Sequence, residues 1–309
     1  HNNRHSFPTR RSSDLTGLGT LVIVPAAGVT HAASGIGEAF LDGVPMLVIA
    51  GGIRRDTDRR YQLHDVDQHA LLRPITKRTW RVERHADVVP TIHEAVRVAT
   101  SGEPGPVFVE IPVDLQLLTG DAGATPAFAG LPEPTLACTD EDLRRAAGLL
   151  RAARAPAIFA GWGAVDAYDE VARIADRLGA PVATTLQGLS AFRAEHALHA
   201  GFCLGRAAVP AVENALADCD CLLAIGTRFA EIATGSYGWQ PPANLVHVDV
   251  NPQVFSANYP AAVGLEGDAR RVLQRLEALL ADAPPATARR AAVAAAIARD
   301  KAAYHDAWL

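Results

Sequence analysis

The residues spaced like a ligand site lie in the second half of the chain. Gly161-Trp162-Gly163 follows an apolar run at residues 157–160, and Gly226-Thr227-Arg228 follows another at residues 221–225. Asp249 stands near the end of a third run that starts at Leu245, and Gly267-Asp268 precedes a stretch with helical spacing. In open parallel sheets, ligands lie beyond the carboxyl ends of the strands, where glycine permits close approach and helix N-termini attract phosphate. A carboxylate at a strand end can accept from ribose hydroxyls. No complete GxGxxG occurs, so each loop alone reads first as a plain tight turn. Together they point to a Rossmann-like domain, with or without a retained nucleotide.

Other chemistry finds less support. The eleven histidines form no metal triad at close spacing, and His64 and His69 share one charged loop that reads as solvated rather than as a metal pair. Asp56, Asp58, Asp65 and Asp67 lack the turn glycine and terminal glutamate of a calcium loop. There is no GxSxG, HExxH or P-loop. The four cysteines, Cys138, Cys203, Cys219 and Cys221, make no CxxC pair. They read as buried free thiols, which fits a cytoplasmic, reducing compartment.

These loops need strands and helices to position them. Short apolar runs at residues 21–24, 44–50 and 106–111 alternate with helical stretches at about 31–41 and 86–100. That alternation predicts a parallel sheet covered on both faces. The charged segment 54–69 reads as a long surface or site-lining loop. Residues 114–134 are rich in Gly, Pro, Ala and Thr, without periodicity, and read as an interdomain linker. A second series follows, with a helix from Asp140 capped by Thr139, strands at 157–160, 182–185, 221–225 and 245–250, and helices at 167–178 and 268–280. The expected fold class is α/β, with two doubly wound parallel-sheet lobes.

The chain has 309 residues, 49% hydrophobic and 20% charged, a globular balance with room for two cores. A net charge of -5 gives no electrostatic reason to expect nucleic acid or an anionic membrane as partner. Residues 5–15, HSFPTRRSSDL, show no hydrophobic period. They match one translated frame of a sequencing adaptor, so residues 1–15 are expected to be an artefact or disordered.

Taken in order, several strings resemble one family. Gly28-Val29-Thr30, followed by a helix and Asp42-Gly43-Val44-Pro45, resembles the GATN…D-x-VP region of acetolactate synthase and its thiamine-diphosphate relatives. RPITK at residues 73–77 resembles their RPVTK, and SGEPGPV at 101–107 resembles SGRPGPV. Thr184-Thr185-Leu186-Gln187-Gly188-Leu189, Gly226-Thr227-Arg228-Phe229, His247-Val248-Asp249-Val250-Asn251-Pro252 and Gly267-Asp268-Ala269 resemble the central-domain signatures.

The resemblance implies a partial pyrimidine-binding domain at residues 16–118, a linker at 119–138 and a central Rossmann-like domain at 139–282. Residues 283–309 then form a connector to a third, diphosphate-binding domain that this chain lacks. The full-length protein would use thiamine diphosphate and Mg²⁺, act on a 2-keto acid, and assemble as a homodimer or tetramer, with a regulatory subunit left open. By resemblance, Ala27, Gly28 and His31 occupy the loop that approaches the aminopyrimidine, with His31 where the family has asparagine. Leu63 and His64 replace a Phe-Gln pair near the substrate channel, and Lys77 matches a channel lysine.

Gly161, Gly163, Thr185, Leu186, Gln187, Gly226, Thr227, Arg228, Asp249, Val250, Gly267 and Asp268 would border FAD or another nucleotide. Flavin retention is left open, because Glu103 stands where an arginine helps to hold it. The activating glutamate falls upstream of the matched segment, and the metal-binding GDG…N motif lies in the third domain. The chain is therefore expected to be inactive as it stands. Three functional readings stay open: a carboligase of the acetolactate synthase type, a related decarboxylase or acyl-CoA lyase, and a non-catalytic nucleotide-binding module.

Overall fold

A computed structural model describes residues 17–282 and 284–308. The expectation for residues 1–15 lies outside them. The chain forms two compact units that divide between Glu133 and Pro134.

The first unit is built on a four-stranded, all-parallel sheet. Its strands are β1 (Gly19–Ile23), β2 (Met46–Gly52), β3 (Thr79–Arg81) and β4 (Pro106–Pro112), in the order β1-β2-β4-β3. Its helices are α1 (Ala27–Asp42), α2 (Gln68–Leu72), α3 (Val88–Thr100) and α4 (Val113–Leu117). The two-residue strand period sorts side chains between two cores. Met46, Val48, Ala50 and Phe108 pack with Val29, Ile36 and Ala39 of α1, whereas Leu47, Val107 and Val109 pack with Ala95 and Ala99 of α3. Both faces are thus covered, as a parallel sheet requires.

The second unit carries a six-stranded, all-parallel sheet: β5 (Pro156–Ala160), β6 (Val182–Thr184), β7 (His199–Phe202), β8 (Cys221–Ile225), β9 (Asn244–Asp249) and β10 (Val263–Glu266). The order is β10-β9-β8-β5-β6-β7, so the direction in which strands are added reverses between β5 and β8. The helices are α5 (Asp140–Ala152), α6 (Tyr168–Leu178), α7 (Pro210–Leu216), α8 (Ala269–Leu280) and α9 (Thr287–Trp308). Local signals set several boundaries. Thr139 and Asp142 form a reciprocal capping box on α5, Gly179 closes α6 in the left-handed conformation, and Asp268 accepts from Arg271 N to cap α8.

Several elements differ from the sequence expectation. Helix α1 starts at Ala27, not near residue 31, because Ala26 (φ 50°) turns the chain sharply into the helix. Strands β3, β7 and β10 and helix α7 have no counterpart in that expectation. All are seven residues or fewer, and Arg81, Gly201 and Gly264 interrupt the apolar runs of the three strands. Residues 113–117, which overlap the expected linker, form α4, where buried Asp114 receives Arg55.

Candidate functional site

In the first unit, a turn meets an open cleft through one buried side chain. Ala26 ends β1's loop with φ 50° and ψ -84°, and α1 begins at once without a side-chain cap. Ala27 and His31 are exposed and Gly28 is half-buried, so this turn is open to a ligand. Ala26 N donates to Gln68 Oε1 at 3.0 Å. Gln68 also lines a cleft of about 540 Å³, with His64, Asp65, Asp67, His69, Arg81 and Glu110 among its walls.

Glu110 forms the charged floor of that cleft and is 4% exposed. Its Oε1 accepts from Arg81 Nε at 2.8 Å, and its Oε2 accepts from Gln68 Nε2 at 3.0 Å. His69 Nε2 stands 3.4 Å from Oε2, within ion-pair reach but without hydrogen-bond geometry. Burial is the largest single influence on this carboxyl and would raise its pKa. The combined effect of His69, Arg81 and Gln68 outweighs it and holds the group below the usual carboxylate range. Glu110 and Gln68 are site residues that the sequence reading does not select. The available signal is a glutamate inside the buried run PVFVEIP.

The expected channel residues are not gathered here. His64 lines the cleft with φ 70°, but Leu63 is 83% exposed. Lys77 reaches the end of α3. Its ammonium donates to Val98 O and Ser101 O at 2.6 Å and to Glu103 O at 2.8 Å, which commits all three N–H groups to the end of α3. Burial lowers its pKa, and only Glu103 opposes that.

In the second unit the fold does gather the expected nucleotide residues. Gly161, Gly163, Thr185–Gln187, Gly226–Arg228, Asp249, Val250, Gly267 and Asp268 follow or end β5, β6, β8, β9 and β10, at their carboxyl edge. Gly161 and Gly226 flank the point where the strand order reverses, the usual ligand crevice of such sheets. Here the two loops close on each other. Gly161 N donates to Ile225 O at 2.8 Å, and Gly163 N to Gly226 O at 3.1 Å. A Cβ on Gly161 would lie 2.2 Å from Gly226 O. Glycine is required because backbone meets backbone, which leaves no cradle between them.

The polar groups are likewise engaged. Gly226 N donates to Val248 O, Gly267 N to Asp249 O, and Gly188 N to Thr185 Oγ1. Asp249 Oδ1 accepts from Asn251 N, and Asp268 caps α8. Leu186, Gln187 and Arg228 remain exposed along the edge. The amides of Gly161, Gly163, Gly226 and Gly267 are thus committed to loop packing. Among the described residues, no group of three or more His, Cys, Asp or Glu side chains could hold a metal ion. None of the helices among them is long and apolar enough to cross a membrane.

This architecture, two parallel sheets in series with an exposed turn at the start of α1 on the first, has counterparts among known proteins. The thiamine pyrophosphate enzyme N-terminal TPP binding domain matches residues 10–71, and the thiamine pyrophosphate enzyme central domain matches residues 143–276. The chain belongs to the thiamine pyrophosphate enzymes. Within that class it is similar to acetolactate synthase large subunits. It is 31% identical over 269 residues to a probable one of Methanocaldococcus jannaschii, covering 85% of this chain and 45% of that protein. It is 33% identical over 270 residues to the one of Corynebacterium glutamicum, covering 85% and 43%. A probable 2-ketoarginine decarboxylase of Pseudomonas aeruginosa is 34% identical over 287 residues, covering 92% of this chain and 50% of that protein. The fold is shared with an X-ray structure described as a thiamin diphosphate-dependent enzyme from Mycobacterium smegmatis. Its TM-score is 0.73 at 24% identity, over 90% of this chain and 53% of that one. The chain spans about half the length of the curated relatives it matches.

Proposed function

We infer that these residues are the pyrimidine-side and central parts of a thiamine-diphosphate enzyme that acts on a 2-keto acid. The reading is carried by one observation: the Ala27–His31 turn, with Ala27 and His31 exposed and a buried carboxylate network behind it, sits in the segment that matches the TPP-binding domain. Thiamine diphosphate, when bound, would supply the nucleophilic chemistry that acts on a keto carbon. The residues of this chain would contribute the surface that receives the aminopyrimidine. The groups that hold Mg²⁺ and the diphosphate are proposed to lie outside these 309 residues, as is the activating acid, so the chain alone is proposed to be inactive. Assembly as a dimer or tetramer, with or without a regulatory subunit, belongs to the same proposal.

The reaction proposed first is carboligation of the acetolactate synthase type, in which pyruvate loses CO₂ and the remaining hydroxyethyl group joins a second keto acid. A decarboxylase acting on a larger 2-keto acid is the second reading. It is favoured by the similarity to the 2-ketoarginine decarboxylase and by His31, Leu63 and His64, which depart from the acetolactate synthase pattern. The test is to express the full gene and supply thiamine diphosphate, Mg²⁺ and either pyruvate or 2-ketoarginine. Acetolactate from pyruvate supports the first reading, and an aldehyde from 2-ketoarginine the second. CO₂ release from neither would overturn both.

A further inference from the structure

Gln68 joins three segments that are distant in sequence, and both polar atoms of its amide are engaged. Oε1 accepts from Ala26 N at 3.0 Å, while Nε2 donates to Gly51 O and to Glu110 Oε2, each at 3.0 Å. Turning the amide over would set its NH₂ against the Ala26 N–H and its oxygen against a carbonyl and a carboxylate. One orientation is therefore selected. Gln68 is 2% exposed, so no water competes for these bonds.

Glu110 is held in turn. Arg81 Nε donates to it at 2.8 Å, and a Cβ on Gly52 would lie only 2.6 Å from its Oε1, so the glycine leaves room for the carboxylate. The clamp grips the one residue of the turn with a conformation that side chains disfavour. Ala26 has φ 50° and ψ -84°, and its N–H has Gln68 as partner. A continuous path thus runs from Arg81 on β3 through Glu110 on β4 and Gln68 on α2 to the first turn of α1.

Resting on the proposed function, in which this turn meets the aminopyrimidine, we propose that Gln68, oriented by Glu110, is the positioning residue of the cofactor-facing turn. It touches no reacting atom. It holds Ala26 at positive φ and so sets where Ala27 and the first turn of α1 stand when the cofactor binds.

The test uses the full-length protein, with two readouts: thiamine diphosphate affinity in the presence of Mg²⁺, and amide hydrogen exchange of a peptide covering residues 24–31. Gln68→Met keeps the side chain's bulk and removes all three hydrogen bonds. It should speed that exchange and weaken cofactor binding by about tenfold or more. Gln68→Glu keeps an acceptor for Ala26 N but can donate only when protonated. It would face Glu110 and Asp67 as acidic neighbours and His69 and Arg81 as basic ones. Its affinity should match the wild type at low pH and fall as pH rises, a profile that loss of packing alone would not produce.

Wild-type affinity in Gln68→Met overturns the positioning role, even if exchange is faster. Absence of binding in the wild type instead overturns the proposed function. If Gln68→Met fails to fold, Gln68→Glu decides, and affinity equal to wild type at every pH refutes the proposal.

Discussion

Substitution of Gly161 by alanine separates two explanations for the glycines at the carboxyl edge of the second sheet. If they serve close approach of a nucleotide, an added methyl should cost ligand affinity and little stability. The structure predicts the opposite. The new Cβ would lie 2.2 Å from Gly226 O, which is 0.8 Å inside the 3.0 Å that Cβ atoms essentially never cross. The β5 and β8 loops must move apart, and the bonds Gly161 N to Ile225 O and Gly163 N to Gly226 O lengthen or break. Overpacking costs about 1–3 kcal/mol, and the buried Gly161 bond adds about 1 kcal/mol, so the expected loss is about 2–4 kcal/mol. Gly148→Ala is the control. Gly148 lies within α5, and nothing comes within 4 Å of where its methyl would stand, so alanine there should stabilise by about 0.5–1 kcal/mol. Urea unfolding followed by hydrogen exchange in the β5 peptide reads the second unit alone. A loss below about 1 kcal/mol in Gly161→Ala would refute the closed-crevice reading.

Three further outcomes follow from the same geometry. Purified full-length protein should lack a flavin absorbance band in the visible, and stoichiometric FAD recovered on denaturation would show that the edge opens. Lys77→Met should destabilise the first unit by about 2–3 kcal/mol by stripping three carbonyls of their donor, read as a lower urea midpoint for peptides of α3. Burial pushes the His247 imidazole down to about 4, against which its bond to Thr227 O is a lesser effect. Its folded pKa is thus depressed below the unfolded 6.5, so between these values the unfolded state binds the extra proton. Stability from this group is unchanged above about pH 6.5 and falls by up to about 1.4 kcal/mol per pH unit as pH drops towards 4. His247→Leu should flatten that part of the pH dependence, and an unchanged slope would contradict it.

Short-range pattern in the sequence determined the α/β class, because it depends on near neighbours. The runs at β2, β4, β5, β8 and β9 are apolar on both faces, which marks strands buried within a parallel sheet. Thr139 and Gly179 announced helix ends from within one turn of the chain. Collinear motifs were also enough to indicate the thiamine-diphosphate family. Only the tertiary structure decided what the polar groups do. The resemblance offers Lys77 as a channel cation, and only the fold shows its ammonium on carbonyls at the end of α3, 21 to 26 residues away. Gly161 and Gly226 read as loops of a nucleotide crevice, and only the strand order shows that their backbones touch. Gln68 carries no pattern of its own. Its significance arises from Ala26 and Glu110, each 42 residues distant, which meet it only because β4 lies beside β2 and α2 packs across their ends. A hydrogen bond between residues so far apart leaves no period in the sequence. It becomes visible when folding brings donor and acceptor to about 3 Å in a place that water does not reach.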